Sequence, residues 1–303
     1  MLRYFLFCVV FAGAISSLMN SCAVQAKVTS ADTHQRQVPQ RIIAIGDLHG
    51  NLSVTKRALV LAGAIDQNDR WIGGELVVVQ VGDLIDRGAN DKAVIDFLET
   101  LKKQAKQAGG QLITLLGNHE FMNVLGDYRY VSKEGVDEFK VFSKNEDPYS
   151  GRFQAFKPGG PYARTLAHNP VTIVIGDTLF VHAGLRKCFL YYGLERINKE
   201  AQQFLRGELK NPPQFVIDSD GPIWTRRYSK GPSREDCAEL KQVLSQLNCT
   251  RMVVGHTVQS DGIASTCDGM CWMVDIGLTF SPDKVEVLEI TPSGLKVLKE
   301  HSP

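Results

Sequence analysis

The sequence predicts an α/β fold of two packed, mixed β-sheets flanked by helices. Three observations carry that prediction. Between Arg41 and Leu116, short apolar runs alternate with segments of helical periodicity, the order of a parallel sheet joined by right-handed crossovers. Beyond Val171 the chain is rich in short strand-like runs separated by Gly, Asp and Asn, which supply a second sheet. Several of the apolar runs end in Gly followed by Asp, Asn or His.

Arg41–Ile45 is the first apolar run and ends at Gly46-Asp47. Val54–Ala64 has the spacing of a helix. Glu75–Val81 is Val-rich and ends at Gly82-Asp83. Asp91–Ala108 places Val94, Phe97, Leu98, Leu101 and Ala105 on one helical face and stops at Gly109-Gly110. Gln111–Leu116 is a third strand, ending at Gly117-Asn118. Residues 124–170 are aromatic, charged and rich in Gly and Pro without a clear period, which predicts a helical or irregular insertion beside the strand ends. Val171–Ile175 and Thr178–Val181 form a hairpin about Gly176-Asp177. Glu195–Leu205 reads as a helix. Ser233–Leu247 does too, with Ser233 as N-cap and Glu235 and Asp236 in its first turn. Arg251–Val254 ends at Gly255-His256, and Trp272–Ile276, Val285–Ile290 and Leu295–Leu298 complete a second half expected to be mostly antiparallel.

The 303 residues, 44% hydrophobic and 22% charged, match an ordinary globular enzyme with a sizeable core. The formal net charge is +1, and the longest basic feature is Arg226-Arg227, so no nucleic-acid surface is expected. At the N-terminus, Met1-Leu2-Arg3, an apolar run from Tyr4 to Met19 and Val24-Gln25-Ala26 have the layout of a cleaved signal peptide over 1–26. A polar linker over 27–40 and one domain over 41–303 follow. The expected location is exported, periplasmic or secreted, with no stable membrane span after cleavage. The alternatives are an uncleaved N-terminal anchor or lipidation at Cys22.

Cys188, Cys237, Cys249, Cys267 and Cys271 remain after cleavage. An exported chain can form disulfides, and Cys267 and Cys271, flanking Asp268-Gly269-Met270, are the expected pair. Zinc held by that Cys-x3-Cys lacks a second Cys or His pair nearby.

Ligands in open α/β sheets lie beyond the carboxyl ends of the strands. The strand ends here aim Asp47, His49, Asp83, Asn118, His182 and His256 at one place. Taken singly, each such residue is an ordinary turn or cap residue; their recurrence in order points to a shared centre. Mixed carboxylate and imidazole donors suit Mn, Fe or Zn rather than Ca. His34, His168 and His301 stand outside these motifs.

The set Gly46-Asp47-Leu48-His49-Gly50, Gly82-Asp83-Leu84-Ile85-Asp86-Arg87-Gly88, Gly117-Asn118-His119-Glu120, His182-Ala183-Gly184 and Gly255-His256-Thr257 resembles the signature of the phosphoprotein-phosphatase family within the calcineurin-like metallophosphoesterases. The resemblance covers essentially all of 41–290. It implies a metallophosphoesterase sandwich holding two metal ions, Mn first with Fe or Zn also suitable. Asp47, His49 and Asp83 would hold one ion, and Asp83, Asn118, His182 and His256 the other. Attack would come from a metal-bound hydroxide. His119 would be the general acid and Asp86 the carboxylate that orients it. Arg87 and Arg226, the latter in Trp224-Thr225-Arg226, would bind the substrate phosphate together with Asn118. Arg227 is a fallback for Arg226, and Asp275-Ile276-Gly277 resembles a structural turn.

Two departures refine the resemblance. Leu116 stands where the eukaryotic Ser/Thr enzymes carry Arg, and Trp272-Met273-Val274-Asp275 replaces their tyrosine-bearing segment. The sequence is most similar to the Shewanella-like, bacterial-type protein phosphatases, some of which act on phosphotyrosine. The resemblance therefore implies a phosphorylated protein or a small phosphoester as substrate. A nucleotide or dinucleotide polyphosphate hydrolase is the alternative; it would need a base-stacking aromatic such as Phe153, Phe156 or Tyr162. An inactive binding module would have lost a ligand or the acid, and neither is lost.

Overall fold

The chain is described by a computed structural model covering residues 39–280 and 282–300. The expected signal peptide, Cys22, His34, His301 and most of the linker lie outside those residues. In chain order the elements are β1 (Ile42–Ile45), α1 (Leu52–Leu61), β2 (Val77–Gln80), α2 (Asp91–Gln107), β3 (Gln111–Thr114), α3 (Asn118–Val124), α4 (Lys133–Asp137), a 3-10 turn at Lys140–Phe142, α5 (Pro148–Phe156) and α6 (Pro161–Leu166). Then follow β4 (Thr172–Ile175), β5 (Thr178–Val181), α7 (Lys187–Tyr192), α8 (Leu194–Leu205), α9 (Gln214–Ile217), α10 (Arg234–Gln246), β6 (Arg251–Val254), β7 (Ala264–Thr266), β8 (Cys271–Met273), β9 (Glu286–Thr291) and β10 (Gly294–Lys299).

β1 and β2 are buried at every residue, which explains why they read as unbroken apolar runs rather than alternating ones. Ile43, Ile45 and Val78 face the helices. Ile42, Ala44, Val77 and Val79 face the second sheet and meet Phe180, Val253 and Val274 there. The first sheet runs β10-β9-β1-β2-β3, with β1, β2 and β3 parallel and the C-terminal hairpin antiparallel beside β1.

The second sheet runs β4-β5-β6-β8-β7. β4 with β5 and β7 with β8 are antiparallel, but β5 with β6 and β6 with β8 are parallel. The expectation of a mostly antiparallel second half holds for β4 with β5, β7 with β8 and β9 with β10, while β6 is parallel to both of its neighbours. The connection from β5 to β6 runs through α7–α10, long enough to return the chain to the starting end of the sheet. The two sheets therefore both point parallel strand ends toward one rim.

Local signals explain the element boundaries. Helix α1 starts earlier than expected because Asn51 accepts from the Val54 N–H at 3.1 Å, and it ends before Gly63, at φ 69°. Ser233 caps α10 as predicted, in a reciprocal box with Asp236. The 124–170 insertion is about half helical and closes over its own aromatic cluster, in which Phe139 meets Phe156 and Tyr162 at ring-centroid distances of 4.9 and 5.1 Å.

The disulfide is Cys237–Cys267, with Cα atoms 5.2 Å apart, and not Cys267–Cys271. Cys267 occupies the β7–β8 turn at φ 51°, facing α10, whereas Cys271 has entered β8 and is a fully buried thiol. No helix among the described residues is long and apolar enough to cross a membrane.

Candidate active site

The rim where both sheets end is built from unusual backbone. His49, Asp83, Asp86, Arg87 and His256 all have positive φ, between 45° and 72°, a region that non-glycine residues rarely occupy away from functional sites. The glycines before the site residues have a steric reason. A Cβ on Gly117 would lie 2.1 Å from Asp83 Oδ1, and one on Gly255 would lie 2.2 Å from Asp47 Oδ1. Each of these glycines makes room for a carboxylate from a different strand.

Asp47, His49, Asp83, Asn118, His182 and His256 are all buried and, except for His182, line a cavity of about 90 Å³. Donor atoms of His49, Asp83 and His119 lie within 4.8 Å of one another, as do those of Asp83, His182 and His256. Asp83 is common to both groups. Its Oδ2 is 3.8 Å from His49 Nε2 and 3.3 Å from His182 Nε2, while Asp47 Oδ2 is 3.9 Å from His49 Nε2. Asn118 Oδ1 is 3.0 Å from His182 Nε2.

The other ring nitrogens are fixed from behind. His49 Nδ1 donates to the Ile85 carbonyl at 3.0 Å and His182 Nδ1 to Val81 at 2.9 Å, leaving both Nε2 atoms for the centre. His256 is turned the other way, with Nε2 donating to the Trp224 carbonyl at 3.1 Å. Such carbonyl partners set the tautomer that presents a lone pair to a metal.

The electrostatics suit cations. Burial, reinforced by the charges of Asp275 and Asp83, pushes the Asp47 carboxyl well above the usual range. Burial acts to raise Asp83 as well, but His182 and His119 outweigh it and hold it well below. Burial lowers His49 to about 4 and, helped by His182 and Arg226, His256 to about 2, so both are neutral donors near neutral pH. Asp83 in turn outweighs the burial of His182 and raises its proton affinity. Buried carboxylates crowded against imidazoles and a shared aspartate form a donor set that fits two divalent ions.

On one side of this cluster His119 Nδ1 donates to Asp86 Oδ2 at 2.6 Å, and both side chains are buried. Burial tends to lower the His119 imidazole, but Asp83 and Asp86 more than offset it and raise its proton affinity. The opposite nitrogen, Nε2, is 3.5 Å from Arg87 Nη2. The Arg87 guanidinium carbon lies 5.5 Å from the Tyr130 ring centroid and 5.3 Å from that of Phe280, and its Nε is buried without a hydrogen-bond partner. Arg226 reaches the same cavity, donating to the His256 carbonyl and, at 3.0 Å, to Thr257 Oγ1. Arg227 is drawn instead to Asp236 at 3.1 Å and Asp220 at 3.6 Å.

Sequence reading passed over four contributors. Glu120 is fully buried and accepts from the Gly117, Asp83 and Leu84 N–H groups. Tyr130 packs against His119 with ring centroids 5.2 Å apart. Asn123 donates to Asp86 Oδ1 at 2.8 Å, and the fully buried Arg152 approaches the same oxygen at 3.0 Å. Glu120 sat in plain view in Gly117-Asn118-His119-Glu120; nothing local marks the other three. Of the aromatics weighed for base stacking, Phe156 and Tyr162 are buried in the insertion, and Phe153 does not line the cavity.

A fold of two five-stranded sheets, with metal-donor groups at their common rim, defines a metal-dependent phosphoesterase. The calcineurin-like phosphoesterase family matches residues 40–260, and the chain belongs to it. Among its relatives, it is 37% identical to the Shewanella-like protein phosphatase 2 of Arabidopsis thaliana, over 86% of this chain and 78% of that protein. It is 32% identical to the Shewanella-like protein phosphatase 1 of Plasmodium berghei, over 79% of this chain and 67% of that one. Its structure resembles that of the cold-active protein-tyrosine phosphatase of a psychrophilic Shewanella species, with a TM-score of 0.72, 26% identity, and coverage of 86% of this chain and 80% of that one. The chain is accordingly an enzyme, a metal-dependent phosphatase.

Proposed function

We propose that this enzyme hydrolyses phosphomonoesters on proteins, with a preference for phosphotyrosine. The observation that carries the proposal is the pairing of two donor groups through Asp83, one of them including His119, whose other ring nitrogen is held by Asp86. Asp47, His49 and Asp83 would hold one ion and Asp83, Asn118, His182 and His256 the other, with Mn suited first and Fe or Zn next. Two ions held there would supply Lewis acidity and a water of lowered pKa. Arg87 and Arg226, which both line the cavity, orient the phosphoryl group, and Asn118 binds it with them. As the ester P–O bond breaks and a hydroxide oxygen, its other proton already lost to solvent, bonds to phosphorus, His119 Nε2 gives its proton to the leaving oxygen. Asp86 keeps Nδ1–H in place throughout.

The phosphotyrosine preference rests on Tyr130, which lines the cavity, and Phe280; they are 46% and 60% exposed and both lie against Arg87. They offer flat apolar faces to an aromatic leaving group. The names of the relatives, protein phosphatases and a protein-tyrosine phosphatase, agree with that reading. The sequence pattern of residues 1–26 further supports export of a catalytic domain spanning 41–303, which N-terminal sequencing of the mature protein tests.

The deciding experiment assays the protein with manganese, iron or zinc against phosphotyrosine, phosphoserine and phosphothreonine peptides and a dinucleotide polyphosphate. The expected order is phosphotyrosine first, and His119→Ala should abolish nearly all turnover. Equal rates on the three phosphopeptides would sink the preference. Preferred cleavage of the dinucleotide would replace the protein substrate with a nucleotide one.

A further inference from the structure

Arg152 lies in α5, in the middle of the 124–170 insertion, and is completely buried. An arginine with no exposure needs a reason, because its charge is costly to desolvate unless it is paired and hydrogen-bonded throughout. Every nitrogen of this guanidinium has a named partner. Nε donates to Asn123 Oδ1 at 2.7 Å and Nη1 to the Gly135 carbonyl at 2.7 Å. Nη2 donates to Asp86 Oδ1 at 3.0 Å and forms an ion pair with Asp91 Oδ2 at 2.7 Å. Phe139 and Phe156 each place a ring centroid 5.1 Å from the guanidinium carbon, so the fork is packed as well as paired.

Asp86 has two oxygens, and the structure divides them. Oδ2 takes the His119 N–H. Oδ1 takes Arg152 Nη2 and Asn123 Nδ2 together. Asn123 also donates to the His119 carbonyl at 2.9 Å, and Asp91 Oδ1 accepts from the Asp86 N–H at 2.9 Å. Neither Arg152 nor Asn123 lines the cavity. Their groups act on the carboxylate from the side away from substrate.

We propose that Arg152 is a positioning residue for the general acid: with Asn123 it occupies Asp86 Oδ1, so that Oδ2 alone is presented to His119 and the imidazole is held with Nε2 toward the leaving oxygen. The inference rests on the role proposed for His119. It assigns the 124–170 insertion a part in the chemistry, as the element that carries this clamp. Without the guanidinium, Asp86 and Asp91 would be two buried carboxylates with no cation between them. Asp86 would then be free to rotate, and His119 to turn with it.

A positioning role differs from a merely structural one in its dependence on the leaving group. A poor leaving group needs the proton and a good one does not. The test measures kcat for wild type, Arg152→Gln, Arg152→Lys, Asn123→Ala and His119→Ala on phenyl phosphate, p-nitrophenyl phosphate and 2,4-dinitrophenyl phosphate, with bound metal quantified in each. Arg152→Gln is expected to lose more than about tenfold on phenyl phosphate but less than about threefold on the dinitrophenyl ester. Arg152→Lys, which keeps the charge, should recover part of the loss, and Asn123→Ala should show the same selectivity in weaker form. An equal loss on all three esters, with metal retained, would overturn the proposal.

Proton NMR gives a second reading that needs no turnover. The low-field resonance of the His119 Nδ1–H, identified by its disappearance in His119→Ala, should be sharp in wild type and broadened or lost in Arg152→Gln. An unchanged resonance overturns the proposal. If Arg152→Gln does not fold, Asn123→Ala decides by the same two measurements. A wild type inactive on every ester would defeat the phosphatase reading by itself, and the resonance would still decide whether Arg152 holds the pair.

Discussion

Glu120 and Asp83 are joined backwards: the Glu120 carboxylate grips not the Asp83 side chain but its backbone N–H, at 3.0 Å, together with the N–H groups of Gly117 at 2.7 Å and Leu84 at 2.8 Å. Asp83 sits at φ 57° and is the residue shared by both donor groups. One buried carboxylate therefore holds in place the turn that aims the carboxylate common to both donor groups.

Glu120→Gln should lower stability by about 1–3 kcal/mol, because an amide must point its own N–H groups at one of those donors and leave it unsatisfied. Thermal melts of the metal-loaded protein read the loss. Measured metal content should fall as well, since the Asp83 turn loses its anchor. A melt and a metal content equal to wild type would show that the turn holds itself.

Arg226→Ala should raise KM for a phosphopeptide by about tenfold, with a smaller effect on kcat, as expected for a group that binds the phosphate without moving protons. Arg227→Ala should change neither, because that side chain is engaged by Asp236 and Asp220. Steady-state kinetics on both variants separates them, and a larger effect at Arg227 would reverse the assignment.

The Cys237–Cys267 bridge closes a sequence separation of 30. Its loss should cost about 3–4 kcal/mol through the unfolded chain. Cys237→Ser and Cys267→Ser proteins should therefore melt earlier than wild type under oxidising conditions and match it under reducing ones. Cys271→Ser should keep the bridge, as non-reducing peptide mapping would reveal.

Glu239 ties α10 to the start of α7 through Arg186 and Lys187. Burial acts to raise this carboxyl. The Arg186 hydrogen bond at 2.7 Å and the Lys187 N–H at 2.9 Å outweigh it, and Glu239 ends below its ordinary value of 4.5. A carboxyl depressed in the folded state stabilises above its unfolded pKa, and that contribution fades as pH falls through the folded value. Glu239→Gln should thus be less stable than wild type near neutral pH, with the gap closing as the pH falls below that ordinary value. Urea midpoints across that range measure it, and a constant gap would remove Glu239 from the acid limb.

Much of this was legible in the sequence, for identifiable reasons. β1, β2 and β3 were visible because strands buried on both faces must be continuously apolar, and the glycines after them because neighbouring atoms fill the space of a side chain: the Val274 carbonyl at Gly46, the Gly117 backbone at Gly82 and the Asp83 carboxylate at Gly117. The ligands stood next to those glycines, so Asp47, Asp83, Asn118 and His256 could be read together with the strands. Arg152 and Asn123 could not, since a buried arginine at position 152 looks like a surface one until the chain is folded around Asp86. The disulfide was misread because nearness in sequence favoured Cys271, whereas the strand that follows the turn carries Cys271 into the core. The parallel pairing of β5 and β6 was hidden by the long helical connection between them.

The Asp47 carboxylate accepts the backbone N–H of His256 at 3.2 Å, across 209 positions of the chain. Donors from the start of the first sheet and from the late strand β6 are needed together. During synthesis, then, the early strands can emerge and pair while the centre still lacks a wall. Metal held as proposed would be taken up only after residue 256 has joined the early strands.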